Sequence, residues 1–356
     1  MVLLLAALLV AAGAVALYSV AGGSYQPWAA QHVTRFFVMS AIALAIGLVP
    51  LRVWFRLAFP AYGLALILLA IVPVAGVEAM GAQRWLSLMG IQFQPSELMK
   101  LALVAALARF LHVVPAHQIS SPRYVLTAIA MIALPAALIL RQPDLGSAVL
   151  VALIGLILTF LAGVSLIYFG LGGVMVGCAL PFFIASLHDY QRRRLTTFLD
   201  PESDPTGAGY HLLQSKIALG SGGISGKGFL QGTQSQLDFL PEKHTDFVFT
   251  MLGEEWGYVG SLALLLLYAA LLLQLARMAL QAESRFAKLL ISGSLVTMFL
   301  YVFINVAMVT GLVPVVGVPL PLVSYGGTSL ATIMIGLGLA ISAHVHVREE
   351  LGRPLL

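Results

Sequence analysis

Two adjoining stretches decide the fold class of this chain: LGSAVLVALIGLILTFLAG at residues 145–163 and LIYFGLGGVMVGCALPFFIASL at residues 166–187. Neither stretch contains an Asp, Glu, Lys or Arg residue. Each is long enough to cross the hydrocarbon core of a bilayer as a helix, which takes about 20 mostly apolar residues. Lipid accommodates such surfaces because the outside of the protein can itself be apolar. The chain is therefore predicted to be an integral membrane protein.

The composition of the whole chain points the same way. Of its 356 residues, 60% are apolar and only 10% are charged, whereas soluble domains carry roughly 25% charged residues. We predict an all-α polytopic membrane protein, a single integral membrane domain over residues 1–356. Its transmembrane helices number about ten, at residues 2–21, 34–50, 54–75, 97–113, 124–140, 145–163, 166–187, 246–274, 287–310 and 325–346.

Two segments interrupt this pattern. Residues 311–324 are rich in Pro and Gly, which suits irregular backbone buried in protein, because lipid does not tolerate unpaired peptide groups. Residues 188–245 are polar and form the longest stretch between predicted spans. We expect this second segment to be one large extracytoplasmic loop.

The distribution of Lys and Arg predicts the orientation. With ten spans, both termini lie on one side, and the short loops on that side carry nine basic residues against three in the short loops opposite. Basic residues gather in cytoplasmic loops, so both termini are predicted to be cytoplasmic. Counting the six basic residues of 188–245 would make a tie, but long loops are weakly governed by this rule.

Several classes of site are excluded by the sequence. Cys178 is the single cysteine, so neither an intrachain disulfide nor a cysteine-based metal site can form. The formal charge of +4 is small, and no basic run is interleaved with aromatic residues, so we expect no nucleic acid partner. The motif GSGGISGKG at residues 220–228 fails the nucleotide-binding pattern, because Ser221 stands where Gly is needed and Gly228 where Ser or Thr is needed.

The first polar cluster joins GAQRW at residues 81–85 to QFQPSELMK at residues 92–100. Glu97 and Lys100 are three positions apart and can pair on one face of a helix. Ionisable residues at membrane depth are candidates for function. Glu97 and Lys100 could therefore line a substrate cavity together with Arg84 and Trp85. The alternatives are a structural ion pair and, for Trp85, an anchor at the membrane interface.

Two aspartates stand directly before apolar runs, Asp144 in RQPDLGS and Asp246 in LPEKHTDFVF. Either could act as an N-cap, a role that Asp favours. Asp246 could instead be a general base at the membrane surface, with Glu242 and His244 offering further acid, base or ligand groups. Glu242 and Asp246 could also ligate a hard cation.

These motifs together resemble the SEDS (RodA/FtsW) family of membrane glycosyltransferases. The resemblance runs from about residue 80 to residue 340, through GAQRW, FQPSE, RQPDLGSA and the loop that ends in HTDFVF, to INVAMVTGLVPVVGVPLPLVSYGGTSL at residues 304–330. The stretch TQSQLDFLPEKHTDF is more similar to the RodA branch than to the FtsW branch.

The resemblance implies a peptidoglycan glycosyltransferase that polymerises lipid II into glycan strands during cell elongation. It implies ten spans with the large loop after the seventh, in the bacterial inner (cytoplasmic) membrane. The implied partners are a class B penicillin-binding protein, which is a transpeptidase, and the rest of the elongation machinery. The family's essential aspartate corresponds to Asp246, its tryptophan to Trp85, and its charged pair to Glu97 and Lys100.

The implied reaction needs a base for the attacking hydroxyl and positive charge for the departing diphosphate. Asp246 would be the base. A divalent cation, Mg²⁺ or Mn²⁺, could add positive charge, whereas no nucleotide is expected. The candidate cations in the chain are Arg84, Lys100, Arg192, Arg193, Arg194, Lys216 and Lys243.

Two other classes of function stay open at this point. A flippase or transporter of lipid II would also show many spans and intramembrane charges. Here the charged motifs gather at one membrane face, without paired broken helices, which favours surface chemistry. A scaffold without catalysis would tolerate substitution at these motifs. A single-span partner is expected to bind through the eighth and ninth spans, because Gly253, Gly257 and Gly260 in the eighth would let another helix approach closely. The alternative is that these glycines pack internally.

Overall fold

The structure is a computed structural model that describes residues 1–79, 82–88, 90–186, 197–198, 200, 207–237, 239–240, 242–349 and 351. Apart from three short strands, the regular structure of these residues is helical. The α-helices are α1 (Val2–Val20), α2 (Trp28–Leu48), α3 (Leu51–Ala75), α4 (Pro95–Val113), α5 (Pro122–Leu140), α6 (Leu145–Leu161), α7 (Leu166–Ser186), α8 (Ala208–Ser221), α9 (Thr233–Gln236), α10 (Val248–Gln281), α11 (Arg285–Val309) and α12 (Gly327–Val345).

Each predicted span falls on one of these long helices, with boundaries within three residues except at the start of α2 and the end of α10. Among the described residues, seven helices are long and apolar enough to cross a membrane, namely α1, α2, α3, α5, α10, α11 and α12. The helix α6 has only 17 residues, and α4 carries Glu97, Lys100 and Arg109. The chain is thus a multi-pass helical membrane protein, and the count of ten spans stays a prediction.

A small antiparallel sheet lies between α3 and α4 and departs from the all-helical prediction. Its strands are β1 (Val77–Ala79), β2 (Ala82–Leu88) and β3 (Ile91–Phe93), in the order β1-β2-β3. The register pairs Leu88 with Ile91, which leaves two residues for the turn. Gly90 in that turn has a φ of +82°, a conformation that Gly adopts without steric cost.

The chain divides into two compact units, which we describe separately. The first unit comprises Met1–Ala41, His188–Gln274 and Met298–Ile333, and the second comprises Ile42–Leu187, Leu275–Thr297 and Met334–Leu356. In the second unit α4 packs against α3, α5 and α6. Most side chains of α4 are buried, including every one from Met99 to Ala108 except the partly buried Leu101. In the first unit, the predicted large loop contains two helices, α8 and α9, within its described part.

Candidate active site

The second unit contains the predicted ion pair of α4. Lys100 Nζ lies 2.5 Å from Glu97 Oε1, and their side chains are only 1% and 9% exposed. Pro95 opens the helix, and the amide of Glu97 donates to the carbonyl of Gln94. The expected pairing is confirmed. Because a buried charge is costly without an opposite charge beside it, the pairing stabilises both side chains within α4.

The two polar motifs of the second unit meet in the structure. Arg84 Nη2 donates to the carbonyl of Pro143 at 2.6 Å, and Gln94 Nε2 donates to Asp144 Oδ2 at 3.0 Å. Asp144 Oδ1 accepts from the amide of Ser147 at 3.1 Å, so the expected N-cap of α6 is confirmed. GAQRW and RQPDLGS therefore form one polar cluster. Trp85 follows Arg84 on β2, where it pairs with Val77 and is half-buried.

Asp246 belongs to the first unit and lies in a turn two residues before the first residue of α10. Its carbonyl accepts from Asn305 Nδ2 at 2.8 Å, and the same amide group donates to the carbonyl of Val318 at 2.7 Å. A Cβ built on Gly317 would lie 3.4 Å from Asp246 Oδ2, and Gly317 has a φ of +71°. The Pro/Gly-rich segment 311–324 thus passes beside the Asp246 carboxylate.

Further bonds hold this segment to the turn. Ser324 Oγ donates to the carbonyl of Thr245 at 2.5 Å, and the amide of Tyr325 donates to the carbonyl of His244 at 2.9 Å. Glu242 Oε2 accepts from Thr245 Oγ1 at 2.8 Å. Within the segment, the amides of Leu312 and Val313 donate to the carbonyl of Ala307 at 2.8 and 3.4 Å, and the amide of Leu320 donates to Ser324 Oγ at 2.9 Å. Protein groups therefore satisfy these parts of the irregular backbone, as buried backbone requires.

The imidazole of His244 lies between two aromatic side chains. It stacks on the Trp28 ring at 4.6 Å between centroids and lies 6.0 Å from the Tyr325 ring. Burial lowers the pKa of His244 below its usual value of about 6.5, and Lys243 lowers it further, whereas Glu242 acts in the opposite direction. The imidazole two residues from Asp246 is thus held neutral at pH 7.

A cation in the first unit was missed by reasoning from the sequence. The Arg35 guanidinium lies 4.7 Å above the Tyr325 ring, and the Tyr325 hydroxyl donates to Gln31 Oε1. Arg35 stands in an otherwise apolar predicted span, and an arginine at that depth is itself a signal of function. No comparable signal marks Trp28 or Asn305, whose contacts come from residues far away in the chain.

Lys216 contacts the other end of the Pro/Gly-rich segment. A Cβ on Gly311 would lie 2.2 Å from Lys216 Cε and 2.7 Å from its Nζ, so the lysine stem crosses the Gly311 backbone. Six residues span at most about 22 Å, which limits the distance between Gly311 and Gly317. Lys216 and Asp246 are therefore held at two points of one short segment. The predicted cation Arg192 lies outside the described residues, as do Arg193 and Arg194.

The glycine motif at residues 220–228 completes a broken helix. Helical geometry in α10 is interrupted at Gly257, which has φ 66° and ψ −159°. Such a break frees carbonyls before it and amides after it. The glycine segment bonds to four of these groups: Lys227 N to Glu254 O (3.0 Å), Gly228 N to Glu255 O (3.0 Å), Tyr258 N to Gly223 O (2.9 Å) and Val259 N to Ile224 O (3.1 Å).

These bonds bring two backbones too close for side chains. A Cβ on Gly226 would lie 2.0 Å from the carbonyl oxygen of Glu255, and one on Gly257 would lie 2.3 Å from the amide of Gly226. Gly253 packs under Leu219. The expectation that Gly253 and Gly257 admit a partner helix is therefore wrong, because these positions are filled from within the chain.

The two carboxylates beside the break are both buried and bonded. Glu254 Oε1 lies 2.6 Å from Lys227 Nζ and also accepts from Thr233 Oγ1. Glu255 Oε1 accepts from Ser19 Oγ at 2.5 Å. These bonds satisfy the need for polar partners at membrane depth. Among the described residues, no group of three or more His, Cys, Asp or Glu side chains is placed to hold a metal ion.

Comparisons with known proteins identify relatives over nearly the whole chain. Residues 1–349 match the model of a family described as FTSW_RODA_SPOVE, cell cycle protein. The chain is 47% identical over 310 residues to the peptidoglycan glycosyltransferase MrdB of Escherichia coli K12, which covers 86% of this chain and 82% of MrdB.

Two solved structures share the fold. One chain comes from a peptidoglycan synthase complex that coordinates polymerization and crosslinking; it is 33% identical, covers 98% of both chains and has a TM-score of 0.83. The rod shape determining protein RodA of Thermus thermophilus is 30% identical, covers 98% of this chain and 97% of its own, and has a TM-score of 0.74.

Proposed function

This chain belongs to the FtsW, RodA and SpoVE family, and from that premise we propose that it is a peptidoglycan glycosyltransferase that polymerises lipid II during cell elongation, with Asp246 as the general base. The observation that carries the role of Asp246 is its placement. Its carboxylate stands at the start of a long apolar helix, beside the backbone of the Pro/Gly-rich segment that Lys216 also contacts.

In the proposed step, a sugar hydroxyl of one lipid II molecule attacks the anomeric carbon of the lipid-linked chain. The new C–O bond forms as the bond from the anomeric carbon to the diphosphate oxygen breaks, and the diphosphate leaves with the electron pair. The hydroxyl proton passes to Asp246. A single carboxylate suffices because the attack inverts the anomeric centre without a covalent enzyme intermediate.

Positive charge must meet the departing diphosphate. Lys216 is exposed, so its ammonium can reach a ligand, whereas Lys100 is paired with Glu97 and Arg84 donates to carbonyls. Trp85, Arg84, Glu97, Lys100 and Asp144 are proposed to shape a part of the substrate site, and Lys243 and Arg192 to add charge.

A divalent cation is compatible with the residues present. Mg²⁺ at phosphate sites takes only one or two carboxylates and completes its shell with phosphate oxygens and water. Asp246 and Glu242 would supply those carboxylates. Glu242 Oε2 already accepts from Thr245, which orients the Glu242 side chain. When bound, the ion would neutralise the diphosphate.

The function is tested with the purified full-length chain, its penicillin-binding protein partner and fluorescent lipid II. We expect long glycan strands to appear on a gel. A protein that makes no glycan but moves lipid II across liposome bilayers would be a flippase, and the glycosyltransferase assignment would fail.

The class B penicillin-binding protein is proposed as partner because one structural neighbour comes from a complex that couples polymerization to crosslinking.

We further propose that the chain lies in the inner membrane with both termini cytoplasmic and residues 188–245 outside. Cysteine labelling tests this in a Cys178→Ala background, which removes the one native thiol. Leu237→Cys is expected to react with a membrane-impermeant maleimide in intact spheroplasts, and the matched Glu283→Cys only after permeabilisation. Leu237 is 62% exposed, and Glu283 lies in the exposed turn before α11. The reverse labelling pattern would show that the proposed orientation is wrong and that residues 188–245 face the cytoplasm.

A further inference from the structure

A cavity of about 970 Å³ opens in the second unit, away from the polar cluster of Arg84 and Asp144. We name it the arginine cavity, because four guanidinium groups line it. It lies where α3 begins, α4 ends, α11 begins and α12 ends. Its charged lining residues are Arg52, Arg56, Arg109, Arg348, Glu283 and Glu349.

The charge of the cavity is positive and only partly satisfied. Four arginines against two glutamates leave a net charge of +2 (4 − 2). Arg52 engages Glu349 twice: Arg52 Nε lies 3.6 Å from Glu349 Oε1, and the backbone amide of Arg52 donates to Glu349 Oε2 at 3.3 Å. Within the part of the chain that the structure describes, no hydrogen bond or ion pair engages the guanidinium of Arg56 or Arg348.

A third arginine is fixed in the wall by aromatic side chains. The Arg109 guanidinium lies 4.8 Å above the Phe55 ring and 4.6 Å above the Phe59 ring, and it donates to the carbonyl of Arg56. A guanidinium held over two rings keeps its charge in place at little entropic cost. The carbonyl bond also holds the backbone of Arg56 beside it. The cavity therefore presents a preformed cationic wall next to the exposed side chains of Arg56 and Arg348.

Apolar surface adjoins these charges. Phe55, Val347 and Leu351 also line the cavity. On α3, Val53 and Leu57 are 39% and 46% exposed on an apolar span, so they face lipid next to Arg52 and Arg56. A ligand that fits both parts has an anionic head and an apolar tail. Phosphate esters match arginine forks well, and basic pockets between membrane helices bind anionic lipid head groups.

We propose that the arginine cavity binds the phosphate ester of an anionic phospholipid, with Arg56, Arg109 and Arg348 around the phosphate and the acyl chains along α3. The site is distinct from the proposed catalytic residues, and it lies on the side proposed above to be cytoplasmic, where anionic lipids gather. Lipid occupancy there would tie the ends of four helices together. A soluble phosphate offers the same anionic group to these arginines as a phospholipid head group does, so the test includes both.

Native mass spectrometry of the full-length chain in detergent tests this proposal. The probes are phosphatidylglycerol, phosphatidylcholine and inorganic phosphate. We expect retention of phosphatidylglycerol in preference to phosphatidylcholine. The double variant Arg56→Gln with Arg348→Gln should weaken phosphatidylglycerol binding by roughly 30-fold, since each basic residue near a membrane surface contributes about fivefold. Both arginines are exposed, so the fold should be unaffected.

The matched control removes the same charge elsewhere. Arg123 and Arg277 are exposed and do not line the cavity, so Arg123→Gln with Arg277→Gln should change binding by less than about twofold. Lysine at positions 56 and 348 keeps the charge but loses the fork, and should give an intermediate loss. Equal retention of both lipids, or an equal loss in the control, overturns the proposal. Binding of inorganic phosphate without lipid overturns the assignment to a lipid.

Discussion

Asp246→Asn is expected to lower the rate of glycan polymerisation from lipid II by about 10²–10⁴-fold, the usual cost of losing a general base. Asparagine keeps the size of the side chain but cannot accept the hydroxyl proton. The backbone bond from Asn305 to the Asp246 carbonyl does not involve the side chain and should persist. An N-cap would also survive, because Asn caps a helix about as well as Asp.

The measurement compares strand synthesis by wild-type protein and variant at equal protein and partner concentrations. Asp200→Asn is the matched control, since it makes the same chemical change at an exposed position outside the proposed site. Both variants should purify in wild-type yield and bind the penicillin-binding protein. Normal polymerisation by Asp246→Asn would show that Asp246 serves the helix start and that the catalytic assignment is wrong.

Much of the helical framework was predictable because the bilayer sets the length of each span. Each of the ten predicted segments corresponds to one helix, and most ends differ by three residues or fewer. The two larger shifts are at α10, which ends at Gln281 rather than near residue 274, and at α2, which begins at Trp28 rather than near residue 34. The extra turn carries Gln31 and His32, which a hydropathy criterion leaves out. His32 is nevertheless buried, with Nε2 bonded to the carbonyl of Leu322.

The break in α10 could not have been predicted from local sequence. The sequence predicts Gly257 to lie at a close helix contact, and it predicts of the glycine motif at 220–228 only that it does not bind a nucleotide. The two features are related only in the folded chain, where residues 223–228 bond to the free backbone amides and carbonyls of α10, about thirty residues later in the sequence. Sequence spacing carries no signal for such a pairing, because the bonds are between backbone groups and the glycines contribute only space.

The polar sites were found as motifs, but their neighbours were not. Asp246, Glu242 and His244 are adjacent in sequence and stand out before an apolar run. The groups around them, Trp28 and Asn305, come from other helices. A single sequence places residues along a helix but does not say which helices meet. The same limit hid the contact between Arg84 and the backbone at Pro143.

The ion pair of α4 is the second place where a large effect is expected. Glu97→Ala or Lys100→Ala alone should destabilise the protein by about 3–5 kcal/mol, because each removes the opposite charge 2.5 Å from a buried ionic group. The double change removes both charges and should cost less than the sum of the two single changes. The difference is the coupling energy of the pair.

The coupling is measured from the free energy of unfolding of the four proteins in detergent micelles. The exposed pair of Arg52 and Glu349 is the control cycle: its side chains are 53% and 20% exposed, so its coupling should be no more than about 1 kcal/mol. A buried pair couples strongly because water cannot replace the missing partner, whereas an exposed pair is solvated when either side chain is lost. Additive, mild effects at Glu97 and Lys100 would mean that the two charges do not depend on each other, and that α4 tolerates them separately.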